Sequence, residues 1–167
     1  GAVDEAEAIP GVEHAEGWIA TNASRVRPDG TQNSNIWVMA PPAESGMVTP
    51  TLVEGRWINA DEAALVVNVD FRSDEAGIGV GDTVTLRMEG HEVRWPVVGV
   101  VTSQLMGPVV FAPYETLSET LGMGGEANRI VLDVSGSDTE MAQVAEQRLR
   151  ESGISVVQVQ TRSERIE

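Results

Sequence analysis

At 167 residues the chain is long enough for one ordinary domain, or for two small lobes, with a core that needs neither metal nor disulfide. Its formal charge of -15 excludes the basic surface that nucleic acid, or anionic lipid bound through charge, requires for counterion release. The absence of cysteine excludes disulfides, thiolate nucleophiles and sulfur-liganded metal sites together. No apolar run of about 18 residues is present, so no stretch of this sequence reads as a membrane-spanning helix.

In chain order, Ala2 to Ile9 carries good helix formers with Ala2, Ala6 and Ile9 on one side, and Pro10-Gly11 stops that helix. Val12 to Arg27 is polar and tolerant of strand geometry. Pro28-Asp29-Gly30 supplies a turn, since Pro presets φ and Gly accepts positive φ, and Asn35 to Ala40 returns as a second strand. Pro41-Pro42 through Pro50 lacks periodicity and reads as a loop and a boundary between lobes.

Strands then dominate, over Leu52 to Ile58 and Ala63 to Val69, followed by a polar turn at Asp70 to Glu75. The least ambiguous stretch is Val80 to Val101. Val84, Leu86 and Met88 alternate with Thr83, Thr85, Arg87 and Glu89, Glu89-Gly90 turns the chain, and the return strand becomes continuously apolar from Val97, as a strand entering a core does. A short strand at Val109 to Ala112 and a helix at Tyr114 to Leu121 follow. A strand, helix and strand over Arg129 to Val134, Asp138 to Ser152 and Ile154 to Gln160 close the chain, with Gly153 as the helix cap.

Chemical motifs are sparse. The glycines Gly77, Gly79 and Gly81 precede a strand, whereas a phosphate-binding loop must open a helix so that amide dipoles converge, so they read as a tight turn. His14 and His91 lack the short-range His or Glu spacing of zinc sites and are expected to be solvated, and no serine sits in a nucleophile elbow. Asp4, Glu5, Glu7 and Asp61, Glu62 lack the spacing of a calcium loop and read as solvated acidic faces. Trp18, Trp37, Trp57 and Trp95 are dispersed over strands, as core or lobe-interface residues are. The loop Ser103 to Pro108 differs in kind: Leu105 and Met106 stand at a turn between strands, either tucked under a neighbour or, with Pro108, offered to a partner. No catalytic, cofactor-binding or metal-binding residue is assigned.

The ordered series GRWI (Gly55 to Ile58), ALVVNVDF (Ala64 to Phe71), GVGDTVTL (Gly79 to Leu86), VVGVV (Val97 to Val101) and VVFAPYETL (Val109 to Leu117), opened by IPGVEHAEGW (Ile9 to Trp18), resembles the MacB-like periplasmic core domain of FtsX-type ABC transporter permeases. The resemblance covers about residues 9 to 161. It implies an α+β fold of two lobes: a porter-like α/β sandwich built from both chain ends (1–50 and 127–167) and an inserted β-rich lobe (51–126). It further implies a non-enzymatic extracytoplasmic domain without cofactors, carried between two membrane helices. Such a domain works with an ATPase subunit through the membrane part and acts on a peptide, lipoprotein, adaptor or cell-wall hydrolase. The isolated domain is then expected to be monomeric and the full permease dimeric. The opening at Gly1 without an initiator Met, and the ending in mid-pattern at Glu167, have the look of a piece of a longer polypeptide. Both ends should accordingly meet one pole of the domain, within roughly 20 to 25 Å of each other. A competing reading from another class is a secreted carbohydrate-binding or hydrolase domain. It requires Trp57, Trp95 and two carboxylates to converge on one pocket.

Overall fold

The structure, a computed structural model, describes residues 2–9, 12–45, 50–103, 107–134, 147 and 156–161. Contacts divide the chain into two compact units, Gly1–Trp18 with Glu126–Glu167, and Ile19–Gly125.

In the first unit a short helix, α1 (Ala2–Glu7), precedes strand β1 (Val12–Val26), whose opening half pairs antiparallel with β8 (Arg129–Val134). On its other side β8 pairs in parallel with β9 (Val156–Thr161). Ala6, Ile9, Ala15, Trp18, Ile130, Val131 and Leu132 are buried there. The register is informative: Val12 and Thr161 both face Val134, so the strand that leaves the amino end and the strand that comes back meet at one end of this sheet. Trp18 and Arg129 pair at the other end, where the chain leaves the unit and re-enters it. The helix expected over 138–152 lies outside the described residues apart from Gln147, which is helical.

The second unit begins halfway along β1. Its remaining strands are β2 (Gln32–Ala40), β3 (Leu52–Gly55), β4 (Leu65–Asn68), β5 (Thr83–Met88), β6 (His91–Val101) and β7 (Val109–Phe111). Pairing runs β2-β7-β4-β6-β5-β1, and β1 also pairs with β2, so these strands form a closed circuit while β3 pairs with β6 alone. Closure removes the row of unpaired backbone groups that an open sheet edge presents. Residues 19–50 group with the middle of the chain because β2 is bonded to β1 on one side and to β7 on the other.

The two hairpins form as the residues dictate. Gly30 adopts φ 88°, and the Asp29 carboxylate accepts from Thr31 N at 2.9 Å and from its hydroxyl at 2.7 Å. Glu89 and Gly90 both take positive φ, the mirror-image turn whose twist suits adjacent antiparallel strands. Val84, Leu86 and Met88 face the interior with Ile36, Val38, Trp95 and Val97, and Thr83 and Arg87 face solvent. The continuous apolar run of β6 has a physical cause. A register irregularity between the Leu65–Val97 and Val66–Gly99 pairs shifts the alternation, so Trp95 and Val97 point inward before it and Val100 after it.

Several local expectations are corrected. The polar turn at Asp70 to Glu75 is instead helix α2 (Val69–Asp74), started by Asn68, whose side chain accepts from Phe71 N, and it seats Phe71 fully in the core. The strand over Leu52 to Ile58 stops at Gly55. There φ is +74°, and a Cβ would lie 2.2 Å from Val98 O, so only glycine permits this approach of the chain to β6. Trp37 is not core: Ile36, Val38 and Ala40 take the inward positions of β2 and leave Trp37 39% exposed. Helix α3 (Tyr114–Leu121) buries Leu117 and ends at Gly122 in the left-handed region.

Candidate functional site

Leu105 and Met106 lie outside the described residues, but the chain on either side of them is held in detail. Asn68, 2% exposed, serves three backbone groups: its Oδ1 accepts from Phe71 N at 2.9 Å and Val109 N at 3.1 Å, and its Nδ2 donates to Gly107 O at 3.1 Å. Asp70, in the first turn of α2, accepts from Gly107 N at 3.0 Å, and its own N–H donates to the Ser103 hydroxyl at 3.3 Å. Both feet of the loop are therefore fastened to the start of α2. Pro108 is half-buried, and its carbonyl accepts from Trp37 N at 3.2 Å.

Apolar exposure collects on the strands paired with those that enter and leave this loop. Leu52 (44% exposed) pairs across from Val101 at the end of β6, Val53 (49% exposed) follows it, and Trp37 pairs with Val109 at the start of β7. Sequence reasoning missed these three residues. Alternation along Asn35-Ile36-Trp37-Val38 was the available signal for Trp37, and Leu52 and Val53 carried none.

The electrostatic centre of the second unit is Glu75, which is 1% exposed. Oε1 accepts from Arg25 Nη1 at 2.9 Å and Arg27 Nε at 3.0 Å, and Oε2 accepts from Arg27 Nη2 at 2.8 Å and Asn33 Nδ2 at 3.0 Å. Burial alone would raise this carboxyl, but the hydrogen bonds from Arg27, Asn33 and Arg25, with the charge of Arg27, outweigh it and hold the group below its ordinary range. The same contact raises the Arg27 guanidinium.

Two further side chains, one from each unit, have charged partners. Glu62 forms a bidentate pair with Arg56 at 2.9 Å and accepts from Asn59 N, and these bonds lower its carboxyl, Arg56 contributing most. His14 is half-exposed yet lies between two carboxylates, 3.5 Å from Glu7 and 3.2 Å from Glu16, while Glu16 also accepts from Trp18 Nε1 at 3.0 Å.

The pocket demanded by the carbohydrate or hydrolase reading does not assemble. A cavity of about 220 Å³ takes Trp57, Tyr114, Pro41, Pro113 and one carboxylate, Glu115, into its lining. Trp57 packs on Phe111 with ring centroids 5.2 Å apart, and Trp95 is buried in the core cluster instead.

The profile of the MacB-like periplasmic core domain matches residues 2–151, nearly the whole chain. The chain belongs to this family. As a MacB-like periplasmic core domain it is an extracytoplasmic domain of an ABC transporter permease, with the sheet-rich, helix-poor α+β build of its structural neighbours. Among the described residues no helix is long and apolar enough to cross a membrane. The fold is similar to the extracellular domain of the noncanonic ABC-type transporter YknZ from Gram-positive bacteria, with a TM-score of 0.60 and 13% identity over 91% of this chain and 82% of that one. It is likewise similar to the periplasmic region of MacB from Actinobacillus actinomycetemcomitans, with a TM-score of 0.54 and 14% identity over 92% of this chain and 74% of that one. No curated protein matches the sequence.

Proposed function

We propose that this domain is a non-enzymatic coupling element, which transmits cytoplasmic ATP hydrolysis by its permease's ATPase subunit to a peptide, lipoprotein, adaptor or cell-wall hydrolase outside the membrane. The observation that carries this reading, beyond family membership, is the register of the first unit. Val12 and Thr161 flank Val134 across two strand spacings, about 10 Å in all, as a domain carried between two neighbouring membrane helices requires. The loop of Leu105, Met106 and Pro108, with exposed Trp37, Leu52 and Val53 beside it, is the surface on which a partner docks in this reading. The isolated domain is a monomer in the same reading, and the full permease a dimer.

The absence of native cysteine in this domain makes a direct test simple. A spin label on Glu119→Cys, at an exposed site of α3, reports the distance between protomers of the full permease assembled with its ATPase. ATP should change that distance distribution, and an ATPase unable to hydrolyse should trap one of the two states. Identical distributions with and without ATP would refute coupling through this domain.

A further inference from the structure

The Glu75 cluster pairs two guanidinium groups with one buried carboxylate. A carboxylate offers about four acceptor positions, and here Arg25, Arg27 and Asn33 occupy all of them, so two guanidinium groups share one negative charge. Arg25 is 7% exposed, and its Nε is buried without an acceptor. A buried donor left unpaired carries a desolvation cost that native structures ordinarily relieve with water or an ion.

A cavity of about 220 Å³ opens at the same place, where the β1–β5 ladder ends at the Val26–Thr85 pair. Arg25, Arg27 and Arg94 line it, together with the hydroxyl residues Thr83 and Thr85 and one carboxylate, Glu92. Glu92 is engaged by Arg87 at 3.0 Å, and Asp29, a second acid whose charge favours the Arg27 cation, is bonded to Thr31. Arg94 has no acidic partner among the described residues. A protein of charge -15 thus gathers three of its arginines around one small cavity, next to hydroxyls able to donate.

We propose that this cavity is a binding site for a phosphate-type oxyanion, held by Arg94 and Arg27 with the Thr83 and Thr85 hydroxyls, beside the buried Arg25 guanidinium whose Nε lacks an acceptor. Guanidinium and hydroxyl donors arriving from β5, β6 and the turn after β1 suit an anion with oxygens in several directions. The site is independent of the coupling function proposed above, so failure of either leaves the other standing.

The test is a titration of the isotope-labelled 167-residue domain with sodium phosphate, followed by amide and arginine side-chain NMR, with sodium chloride matching ionic strength at every point. Saturable shifts at Thr83, Thr85 and Arg94 are expected, together with a higher melting temperature in phosphate than in matched chloride. Arg94→Ala should weaken binding about tenfold or more, as loss of a charge-assisted hydrogen bond does. Thr85→Val, a second variant at a half-exposed site, should weaken it less, and Arg72→Ala on α2 should leave it unchanged. Glycerol 3-phosphate in a parallel arm separates two sources of the same chemistry: tighter phosphate assigns the free ion, and tighter glycerol 3-phosphate assigns a lipid headgroup. Shifts no larger than those in chloride, equal affinity in Arg94→Ala, or saturation by acetate but not by phosphate would each overturn the proposal.

Discussion

Two buried polar residues organise the second unit, and they do so by different physics. Asn68 is neutral and makes its bonds to backbone: one amide starts α2, fixes the first residue of β7 and holds a foot of the Ser103–Gly107 loop. Glu75 is charged and makes its bonds to side chains from β1, the turn beyond it and β2. The neutral centre specifies where backbone goes, with a strength that does not depend on pH. The charged centre ties distant strands together but holds its strength only while the carboxylate is ionised and every partner is present.

Removing either centre tests that contrast. Glu75→Gln should destabilise the domain most, by about 3 to 5 kcal/mol, because it strands two arginines around a site that no longer carries charge. Chemical denaturation would read the loss as a lower midpoint at unchanged slope. Asn68→Ala should cost about 2 to 3 kcal/mol, the sum of a lost helix cap and a buried Val109 N–H without its acceptor, and hydrogen exchange should accelerate at Phe71 and Val109 before the rest of the core.

The pH dependence sharpens the comparison further. Glu75 is held below its ordinary value of 4.5, so its contribution is fully present above that value and is lost as pH falls through the lower folded value. The stability gap between the native sequence and Glu75→Gln should therefore narrow in acid, while the gap to Asn68→Ala stays level. A gap to Glu75→Gln that widens as pH falls would reverse the assigned sign. The smallest expected effect on stability belongs to the loop itself. Leu105→Ser with Met106→Ser should leave the melting temperature nearly unchanged while impairing the full transporter, and a loss of several kcal/mol would show these side chains to be core.

What the sequence revealed follows from the range of the forces involved. The β5–β6 hairpin was legible because alternation and the Glu89-Gly90 turn are local, and so were the Pro28-Asp29-Gly30 turn and the span of α3 over Tyr114 to Leu121. Helix α2 was missed because its short span shows no helical period, although Asn68 with Asp70 in the first turn is a start signal that could have revealed it. The role of Glu75 could not be read at all. Its partners Asn33, Arg27 and Arg25 lie 42, 48 and 50 positions away, and only the closed circuit brings them to it. The surface beside the loop was partly legible, through the outward position of Trp37, and otherwise not.

Closure of the circuit also has a kinetic consequence. The β1–β2 and β5–β6 hairpins can each form locally within microseconds, but the seam between them pairs only Ser24, Arg25 and Val26 with Arg87, Leu86 and Thr85. Beside that seam, the bond from the Thr21 hydroxyl to Glu89 spans 68 positions. Loop-closure entropy must be met before such distant contacts give any return, which places the second unit among chains that fold in milliseconds to seconds. The two hairpins should therefore gain exchange protection early in refolding. Among Ser24 to Val26 and Thr85 to Arg87, the amides that bond across the seam should be protected last, together with the burial of Trp95.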